Sequence, residues 1–535
     1  MGMTKNTLQW LPKWSVPAGA AVSFIIACLI ITPVILNQFI PLNDYPFHLA
    51  RIVILADLDN PVYSEFYKAG SFLLPNMAMD MVAVPLSAIV GAETASRIFV
   101  MLSLLVMLLG TMLLHQAAHR RFSPWPLLAV LFLFNGIFRY GFLNYIFGLG
   151  VAFMAVAAWL WMKPSALKIT VALILSLLLI MLHFAAFAVF AVIVGSCEIH
   201  AAYAHWRDKG FKASILKLCI SAFPFLLAIA VFLIVSPTAD VAAEGIAGKG
   251  FEFKPLGAMV LGGVYSLLTG IVWLDLISYS LLILIFAVFL STGRIKIAPN
   301  LLLAFSIMTI TYVLMPPSIM GSHFADVRLG PAIALLWVAS IDIKAEYPNS
   351  NRFVAGIALV LSVLISVGVT KQWSNFNNEI STIARVFEKT EVGATIFSAT
   401  AQPYTRLIAD SPERRAAWSP PLKHVSSYAV LSGTKFVPMT FVDPTKQPLN
   451  VTEKYQSIKA FQTDNPRKTF TAIELEQFIL EIKNHAANKD WPPLENVYVL
   501  VMGFDRIKES FNESTLGDSV QITEFNKNHA LIKLQ

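Results

Sequence analysis

Long apolar runs recur through the first 371 residues, and they constrain the fold more than any other feature of this sequence. The candidate membrane spans are 16–40, 95–115, 124–138, 142–162, 166–182, 184–202, 214–236, 272–291, 298–316, 328–343 and 353–371. A helix needs about 20 consecutive apolar residues to cross the hydrocarbon core of a bilayer. Charged residues make up only 14% of the chain, against about 25% in ordinary soluble proteins. The sequence therefore predicts a polytopic α-helical membrane protein with about 11 spans.

The basic residues predict the orientation of these spans. Two further apolar stretches, 71–91 and 256–270, are taken to dip into the outer interface instead of crossing. The short loops rich in Lys and Arg then all lie on the cytoplasmic side, as the positive-inside preference requires; their basic residues are Lys5, Lys13, Arg120, Arg121, Lys163, Lys168, Arg207, Lys209, Lys212, Arg294, Lys296, Lys344 and Arg352. The amino terminus is predicted to be cytoplasmic and the carboxyl terminus to be outside. This topology requires that the continuous apolar stretch after Lys168 divides into two spans near His183.

The net charge of +7 does not indicate a nucleic-acid partner. Lys and Arg concentrated in cytoplasmic loops account for it, and the sequence has no basic patches with interleaved aromatic residues. It also has no P-loop or glycine-rich dinucleotide motif, which disfavours a soluble nucleotide as substrate or group donor. The three cysteines, Cys28, Cys197 and Cys219, have no metal-ligand spacing and are predicted to be small buried hydrophobic residues without a disulfide.

The composition changes after Lys371. Residues 372–535 contain polar loops, a helix-like segment at 471–489 and a strand-like segment at 497–504. Thr471 and Glu474 have the spacing of a capping box at the start of that helix. We therefore expect a membrane domain at 1–371, with outer loops at 41–94, 237–271 and 317–327, and an extracytoplasmic α/β domain at 372–535.

Polar motifs that are scattered along the membrane part fall on its outer face in this topology. They contain Asp44, His48, Arg51, Asp80, Arg139, Asn144, His183, His323, Asp326 and Arg328. Ionisable groups at bilayer depth are costly unless they line a cavity or pair with one another. A carboxylate in a partly dry site can act as a general base towards a hydroxyl, and Arg and His donors can bind a phosphate leaving group. The set therefore predicts a polar cleft suited to transfer from a lipid-phosphate donor.

Each motif also has a purely structural interpretation, which stays open at the level of sequence. Asn43 or Asp44 would cap an interfacial helix that has Pro46 in its first turn. Arg139 would extend its side chain to phospholipid phosphates. His183 would be an interior histidine whose hydrogen bonds are satisfied within the protein. Asp326 and Arg328 would form a buried ion pair that only stabilises its loop.

The order of the motifs resembles the GT-C superfamily of integral-membrane glycosyltransferases. The chain is similar to a bacterial branch of polytopic proteins with the motifs D-x-P-x-H-L, P-N-x-A-x-D, G-F-L-N-Y-x-x-G-L-G and G-S-x-x-x-D-x-R. Here these motifs occupy residues 44–49, 75–80, 141–150 and 321–328. The resemblance covers most of the membrane part, and weaker similarity continues into residues 424–449.

This resemblance implies transfer of a sugar from a polyprenyl-phosphate or polyprenyl-diphosphate carrier to an acceptor hydroxyl, with inversion, at the outer face of the bacterial inner membrane. The acceptor would be a glycan, a lipid or a protein. Asp44 matches the acidic residue of the first loop and would be the general base. The donor phosphate would be bound by Arg139, His183 and Arg328, and the sugar or acceptor pocket would be lined by His48, Arg51, Asp80, Asn144, His323 and Asp326.

The resemblance implies no definite cofactor. Relatives such as aminoarabinose transferases and protein O-mannosyltransferases have two adjacent acidic residues where this chain has Asn43-Asp44. A divalent metal therefore lacks the support of a paired-carboxylate motif.

Two other classes of function remain as alternatives. A transporter or flippase of an amphiphilic envelope precursor would hold its site near the bilayer midplane, often between inverted repeats, which the sequence does not show. A noncatalytic envelope-assembly protein would need residues 372–535 but would tolerate changes at Asp44, Arg139 or His183.

Overall fold

The computed structural model describes residues 16–236, 255–319, 322–344, 346–401, 422–464, 469–487, 490–516, 520–525 and 528–535. Within these ranges, seven helices are long and apolar enough to cross a membrane, and further apolar helices have 10–17 residues. A five-stranded mixed sheet lies near the carboxyl terminus. The chain is thus a multi-pass helical membrane protein with a small α/β region, which confirms the predicted fold class.

The helices are α1 (Val16–Leu36), α2 (Tyr45–Ala56), α3 (Pro61–Phe66), α4 (Ala78–Val90), α5 (Ala92–His119), α6 (Gly136–Tyr140), α7 (Leu143–Trp161), α8 (Ala166–Leu182), α9 (Phe184–Lys209), α10 (Phe211–Val235), α11 (Leu256–Leu267), α12 (Val272–Ser291), α13 (Pro299–Leu314), α14 (Leu329–Ser340), α15 (Pro348–Phe387), α16 (Gln456–Asp464) and α17 (Ala472–Ala487). The strands are β1 (Tyr67–Ala69), β2 (Ile295–Ile297), β3 (Ser318–Ile319), β4 (Ser322–His323), β5 (Ile341–Ile343), β6 (Thr395–Ala401), β7 (Leu449–Val451), β8 (Thr469–Phe470), β9 (Val497–Met502), β10 (Val520–Phe525) and β11 (His529–Leu534). Two of the longer 3₁₀ helices cover Trp125–Phe132 and Val425–Ser432.

The described residues group into two compact units. The first lies within Met1–Ile35, Met101–Phe138 and Leu143–Thr370, and the second within Leu36–Val100, Arg139–Phe142 and Lys371–Gln535. The predicted first outer loop therefore belongs to the same unit as the carboxy-terminal residues. Antiparallel pairing of β1 with β7 is part of that unit and places Tyr67 opposite Val451.

His183 divides the apolar stretch between Lys168 and Cys197 into two helices, as predicted. Its backbone is extended, with φ −171° and ψ 123°, so it ends α8 and begins α9. Its Nδ1 accepts a hydrogen bond from the backbone N–H of Ala185 at 3.1 Å. The imidazole therefore acts as the N-cap of α9 and satisfies one of the donors that a new helix leaves unpaired.

Three predicted spans differ from the structure in length or type. The predicted span 328–343 contains only the 12-residue helix α14, which is followed directly by β5. Twelve residues extend about 18 Å, well short of a core of about 30 Å. The span at 124–138 begins as a 3₁₀ helix with Pro126 in its first turn. The helix expected at 353–371 begins at Pro348 and runs for 40 residues to Phe387, because no Pro follows Pro348 in this stretch and Gly356 and Gly368 do not break the helix.

The stretches 71–91 and 256–270, which were predicted to dip into the outer interface, contain the short helices α4 and α11. These have 13 and 12 residues, so each extends only about 20 Å along its axis. A single helix of that length does not cross a hydrocarbon core of about 30 Å. That these segments dip into the outer interface stays a prediction.

The sheet of the second unit has the strand order β10-β11-β9-β6-β8. Strand β6 is parallel to β8 and β9, whereas β9, β11 and β10 pair antiparallel. The predicted capping box begins α17: Glu474 Oε2 accepts from the backbone N–H of Thr471 at 2.8 Å, and Thr471 Oγ1 accepts from that of Glu474 at 3.3 Å. The predicted helix and strand of this region are thus confirmed.

The three cysteines are free. Cys197 is buried as predicted, but Cys28 and Cys219 are exposed. Both exposed cysteines lie on apolar membrane helices. A helix in a bilayer can direct small apolar side chains to lipid, so an apolar neighbourhood in the sequence does not require burial inside the protein.

Candidate functional site

Asp44 lies directly before α2 in the second unit and is buried, with a side chain 8% exposed. It occupies the N-cap position, with φ −91° and ψ −4°, but its side chain makes no capping hydrogen bond. Its Oδ1 instead accepts a hydrogen bond from Asn43 Nδ2 at 2.7 Å. The helix-cap interpretation of this carboxylate is therefore not supported, and the side chain is held among other polar groups.

His424 is the residue of this site that the sequence did not identify. Its Nε2 lies 3.6 Å from Asp44 Oδ1, and its side chain is also only 8% exposed. The imidazole stacks on Phe47, with ring centroids 3.9 Å apart and an interplanar angle of 27°. Residue 424 begins the segment of weaker family similarity, which was the only sequence signal that could have pointed to it.

The backbone around Gly141 positions the first loop. The N–H groups of Asn43 and Asp44 donate to the carbonyls of Arg139 and Tyr140, each at 3.1 Å. Gly141 has φ +94°, and a Cβ there would lie 2.8 Å from the backbone nitrogen of Asp44. Only glycine combines this left-handed backbone with so close an approach. The glycine that begins the GFLNY motif therefore fixes the location of the acidic residue.

Arg51 and Asp80 form a buried bidentate ion pair. Arg51 Nε and Nη2 lie 2.7 and 2.9 Å from the two carboxylate oxygens of Asp80, and both side chains are 0% exposed. Arg51 is on α2 and Asp80 is in the first turn of α4. The pair therefore holds α2 and α4 to each other.

His48 completes this cluster as a neutral imidazole. Its Nδ1 lies 3.1 Å from Arg51 Nη2 and so accepts a hydrogen bond, while the ring also hydrogen-bonds to the backbone of Gly141. Burial, and then the positive charge of Arg51, hold the pKa of His48 well below 6.5. These contacts assign the proton to Nε2. The ring thus connects the ion pair to the loop that positions Asp44.

The guanidinium of Arg51 has one nitrogen that the described part of the chain leaves without a partner. Arg51 Nη1 is buried and has no hydrogen-bond partner among the described residues. Leaving a buried charged donor unsatisfied costs more than about 1–3 kcal/mol. An oxygen from outside the chain, such as that of a phosphate, a sugar hydroxyl or a water, would remove this cost.

A second polar cluster lies in the first unit. The Tyr145 hydroxyl donates to the backbone carbonyl of Arg328 at 2.6 Å, and the Tyr145 ring packs edge-on against His183 with centroids 5.3 Å apart. Burial, and then the Arg328 guanidinium, lower the pKa of His183 well below 6.5. His183 is therefore a neutral hydrogen-bonding group beside a cation, which is a suitable pair for a phosphate.

The predicted site residues thus divide between the two units. Asp44, His48, Arg51 and Asp80 form the cluster of the second unit, and the first unit contains the buried residues Asn144, His183, Asp326 and Arg328. Arg139 belongs to the second unit, so the predicted donor-phosphate set of Arg139, His183 and Arg328 divides between the two. The side chain of His323 lies outside the described residues. Convergence of all of them into one cleft stays a prediction.

Solved structures with this fold include ArnT from Cupriavidus metallidurans. The structure of ArnT bound to undecaprenyl phosphate matches with a TM-score of 0.52 and 9% identity, over 98% of this chain and 98% of ArnT. The apo structure of ArnT matches with a TM-score of 0.52 and 10% identity, over 97% and 98% of the two chains. No protein-family model and no curated protein sequence matches this chain. The ArnT match extends over almost the whole chain and shows that this chain shares the fold of ArnT.

Proposed function

We propose that this protein is an inverting glycosyltransferase that moves a sugar from a polyprenyl-phosphate donor to an acceptor hydroxyl at the outer face of the cytoplasmic membrane. The observation that carries this proposal is the buried Asp44 carboxylate, held by Asn43 and His424 at the start of an interfacial helix. The shared fold supports a polyprenyl-phosphate donor, because one ArnT structure was solved with undecaprenyl phosphate bound.

Asp44 is the general base in this proposal. Its carboxylate takes the proton of the acceptor hydroxyl while that oxygen attacks the anomeric carbon of the donor sugar. The bond between the anomeric carbon and the phosphate oxygen breaks, and polyprenyl phosphate leaves with the electron pair. Asn43 and His424 both contact Oδ1 of Asp44 and so hold the carboxylate in one orientation.

Cationic and neutral donors stabilise the leaving phosphate. His183 and Arg328 form such a pair in the first unit, and we assign the donor phosphate to them together with Arg139. Arg51 Nη1 provides a further buried donor in the second unit, which we assign to the sugar or acceptor. His48 and Asp80 hold that guanidinium in place, and Asn144, His323 and Asp326 complete the proposed pocket.

The test is lipid-linked glycan profiling in a strain that lacks this protein, complemented with variants. General-base catalysis contributes roughly 10²–10⁴-fold, so Asp44→Asn should leave the glycosylated product at the level of the deletion strain, with sugar-loaded polyprenyl phosphate accumulating. The matched control is Asp59→Asn, which makes the same change at an exposed residue just after α2. This control should restore the wild-type profile.

Folding of the variant is checked separately. Asp44→Asn should reach the membrane in wild-type amount and show a wild-type melting temperature after purification. A wild-type product level with Asp44→Asn would contradict the proposal. A glycan profile that depends on residues 372–535 but not on Asp44 would favour a noncatalytic assembly protein. Movement of an intact precursor across the membrane by the Asp44→Asn variant would favour a flippase.

A further inference from the structure

We propose that the first unit binds the phosphate of an anionic phospholipid in a cleft between α7, α8, α9 and α10. The cleft has a volume of about 430 Å³, and its lining includes Trp159, Ser165, Lys168, Glu198, Leu216 and Lys217. None of these residues takes part in the transfer reaction proposed above. The inference therefore stands independently of that reaction.

The four helix ends lie at one membrane interface because the connections are short. Helix α7 ends at Trp161 and α8 begins at Ala166, while α9 ends at Lys209 and α10 begins at Phe211. Each pair is thus a tight antiparallel hairpin. In the predicted topology this is the cytoplasmic interface, where anionic lipids attract basic side chains.

Lys168 supplies the buried charge of the cleft. Its side chain is 10% exposed, and its ammonium lies 3.9 Å from the ring centroid of Trp159. The nearest carboxylate oxygen, Glu198 Oε1, is 4.0 Å away, beyond hydrogen-bonding distance. Among the described residues, nothing accepts a hydrogen bond from this ammonium, although it carries three donors.

Glu198 does not neutralise the cleft. Its Oε1 already accepts a hydrogen bond from Trp159 Nε1 at 3.0 Å, and its Oε2 lies 3.7 Å from Lys217 Nζ. Two ammonium groups therefore face one carboxylate, which leaves one positive charge. The N-terminus of α8, where Ser165 Oγ accepts from the backbone N–H of Lys168 at 3.2 Å, adds a positive partial charge. A phosphate would satisfy both the charge and the unpaired donors.

The rest of the lining explains why the phosphate belongs to a lipid. Leu216 and Ile220 line the cleft and are 62% and 51% exposed. Both lie on α10, an apolar helix long enough to cross the membrane. A soluble anion would gain nothing from these side chains, whereas the acyl chain of a phospholipid would cover them.

The test uses the full-length protein, purified and delipidated, in mixed micelles with either phosphatidylglycerol or phosphatidylcholine, and native mass spectrometry counts the retained lipids. We expect preferential retention of phosphatidylglycerol. Lys168→Gln and Lys217→Gln should each weaken this retention about tenfold, which corresponds to about 1.4 kcal/mol. Lys168→Arg, which keeps the charge, should retain the preference.

Lys163→Gln is the matched control. Lys163 is exposed between α7 and α8 and does not line the cleft, so its loss should leave retention unchanged. Equal retention of the two lipids would overturn the proposal, as would an equal loss with Lys163→Gln. Competition by inorganic phosphate at the same concentration as the lipid would assign the cleft to a soluble anion. If Lys168→Gln does not fold, Lys217→Gln decides the outcome, because that side chain is 37% exposed and tolerates removal.

Discussion

The buried ion pair of Arg51 with Asp80 predicts a large loss of stability when only one partner is changed. Asp80→Asn keeps the shape of the side chain but removes its charge. Arg51 would then carry an uncompensated positive charge at 0% exposure, beside the neutral ring of His48. Breaking one side of a buried pair costs about 3–5 kcal/mol. At about 2–4 °C per kcal/mol, the melting temperature should fall by roughly 6–20 °C.

An exposed pair in the same unit provides the matched control. Lys454 Nζ lies 2.8 Å from Glu65 Oε1, nearly the separation of Arg51 from Asp80, but the two side chains are 53% and 48% exposed. Exposed pairs contribute only about 0–1 kcal/mol. Glu65→Gln should therefore lower the melting temperature by no more than about 4 °C. The shortest nitrogen–oxygen distances of the two pairs are similar, so the comparison tests mainly burial, together with the second hydrogen bond that only the Arg51–Asp80 pair has.

Intrinsic fluorescence of the purified protein during heating measures both variants. The double variant Arg51→Met with Asp80→Leu should recover much of the lost stability, because two apolar side chains replace two buried charges. It should not recover sugar transfer, since the Nη1 donor is gone. A melting temperature for Asp80→Asn within error of that for Glu65→Gln would refute the assignment of a buried pair.

Two further predictions concern the loop around Asp44. Gly141→Ala should reduce transfer at least about tenfold, because the new Cβ would lie 2.8 Å from the backbone nitrogen of Asp44. Gly393→Ala is the control: Gly393 also has a positive φ of +77°, but no atom lies within 4 Å of a Cβ there, so the change should cost only backbone strain of about 1–2 kcal/mol. Equal effects of the two variants on transfer would contradict the role of Gly141. Burial and Arg51 lower the pKa of His48 below 6.5, so the unfolded chain binds the proton more readily and stability falls as the pH drops below about 6.5. His48→Gln should remove that part of the pH dependence of the melting temperature, and an unchanged profile would refute it.

The features that the sequence predicted correctly depend on residues close together in the chain. Hydropathy identified the long helices, and the spacing of Thr471 and Glu474 identified the start of α17. The division at His183 was predicted from the distribution of basic residues between the two sides of the membrane. The structure shows its local cause, which is that the His183 imidazole caps α9. Apart from the balance of basic residues, each of these signals lies within a single helix.

The features that the sequence did not predict depend on pairing over long distances. His424 is brought beside Asp44 by the packing of the carboxy-terminal residues with the first outer loop, and no periodicity encodes that approach. Arg51 and Asp80 were both selected as site residues, but their partnership was not foreseen, because residues on separate helices give no spacing to compare. The length of α15 was underestimated because an apolar run marks the part of a helix that lies in lipid and not its end.

The hydrogen bonds of Arg51 bear on both the structural and the functional interpretation of the first loop. A guanidinium whose only task was to fasten α2 to α4 would be expected to have all of its buried donors satisfied within the fold. The protein instead satisfies Nε and Nη2 with Asp80 and His48 and leaves Nη1 buried without a partner among the described residues. The cost of that donor is recovered only when an external oxygen binds it. The ion pair therefore leaves one buried guanidinium donor for an external oxygen, of a ligand or of a water, next to the loop that carries Asp44.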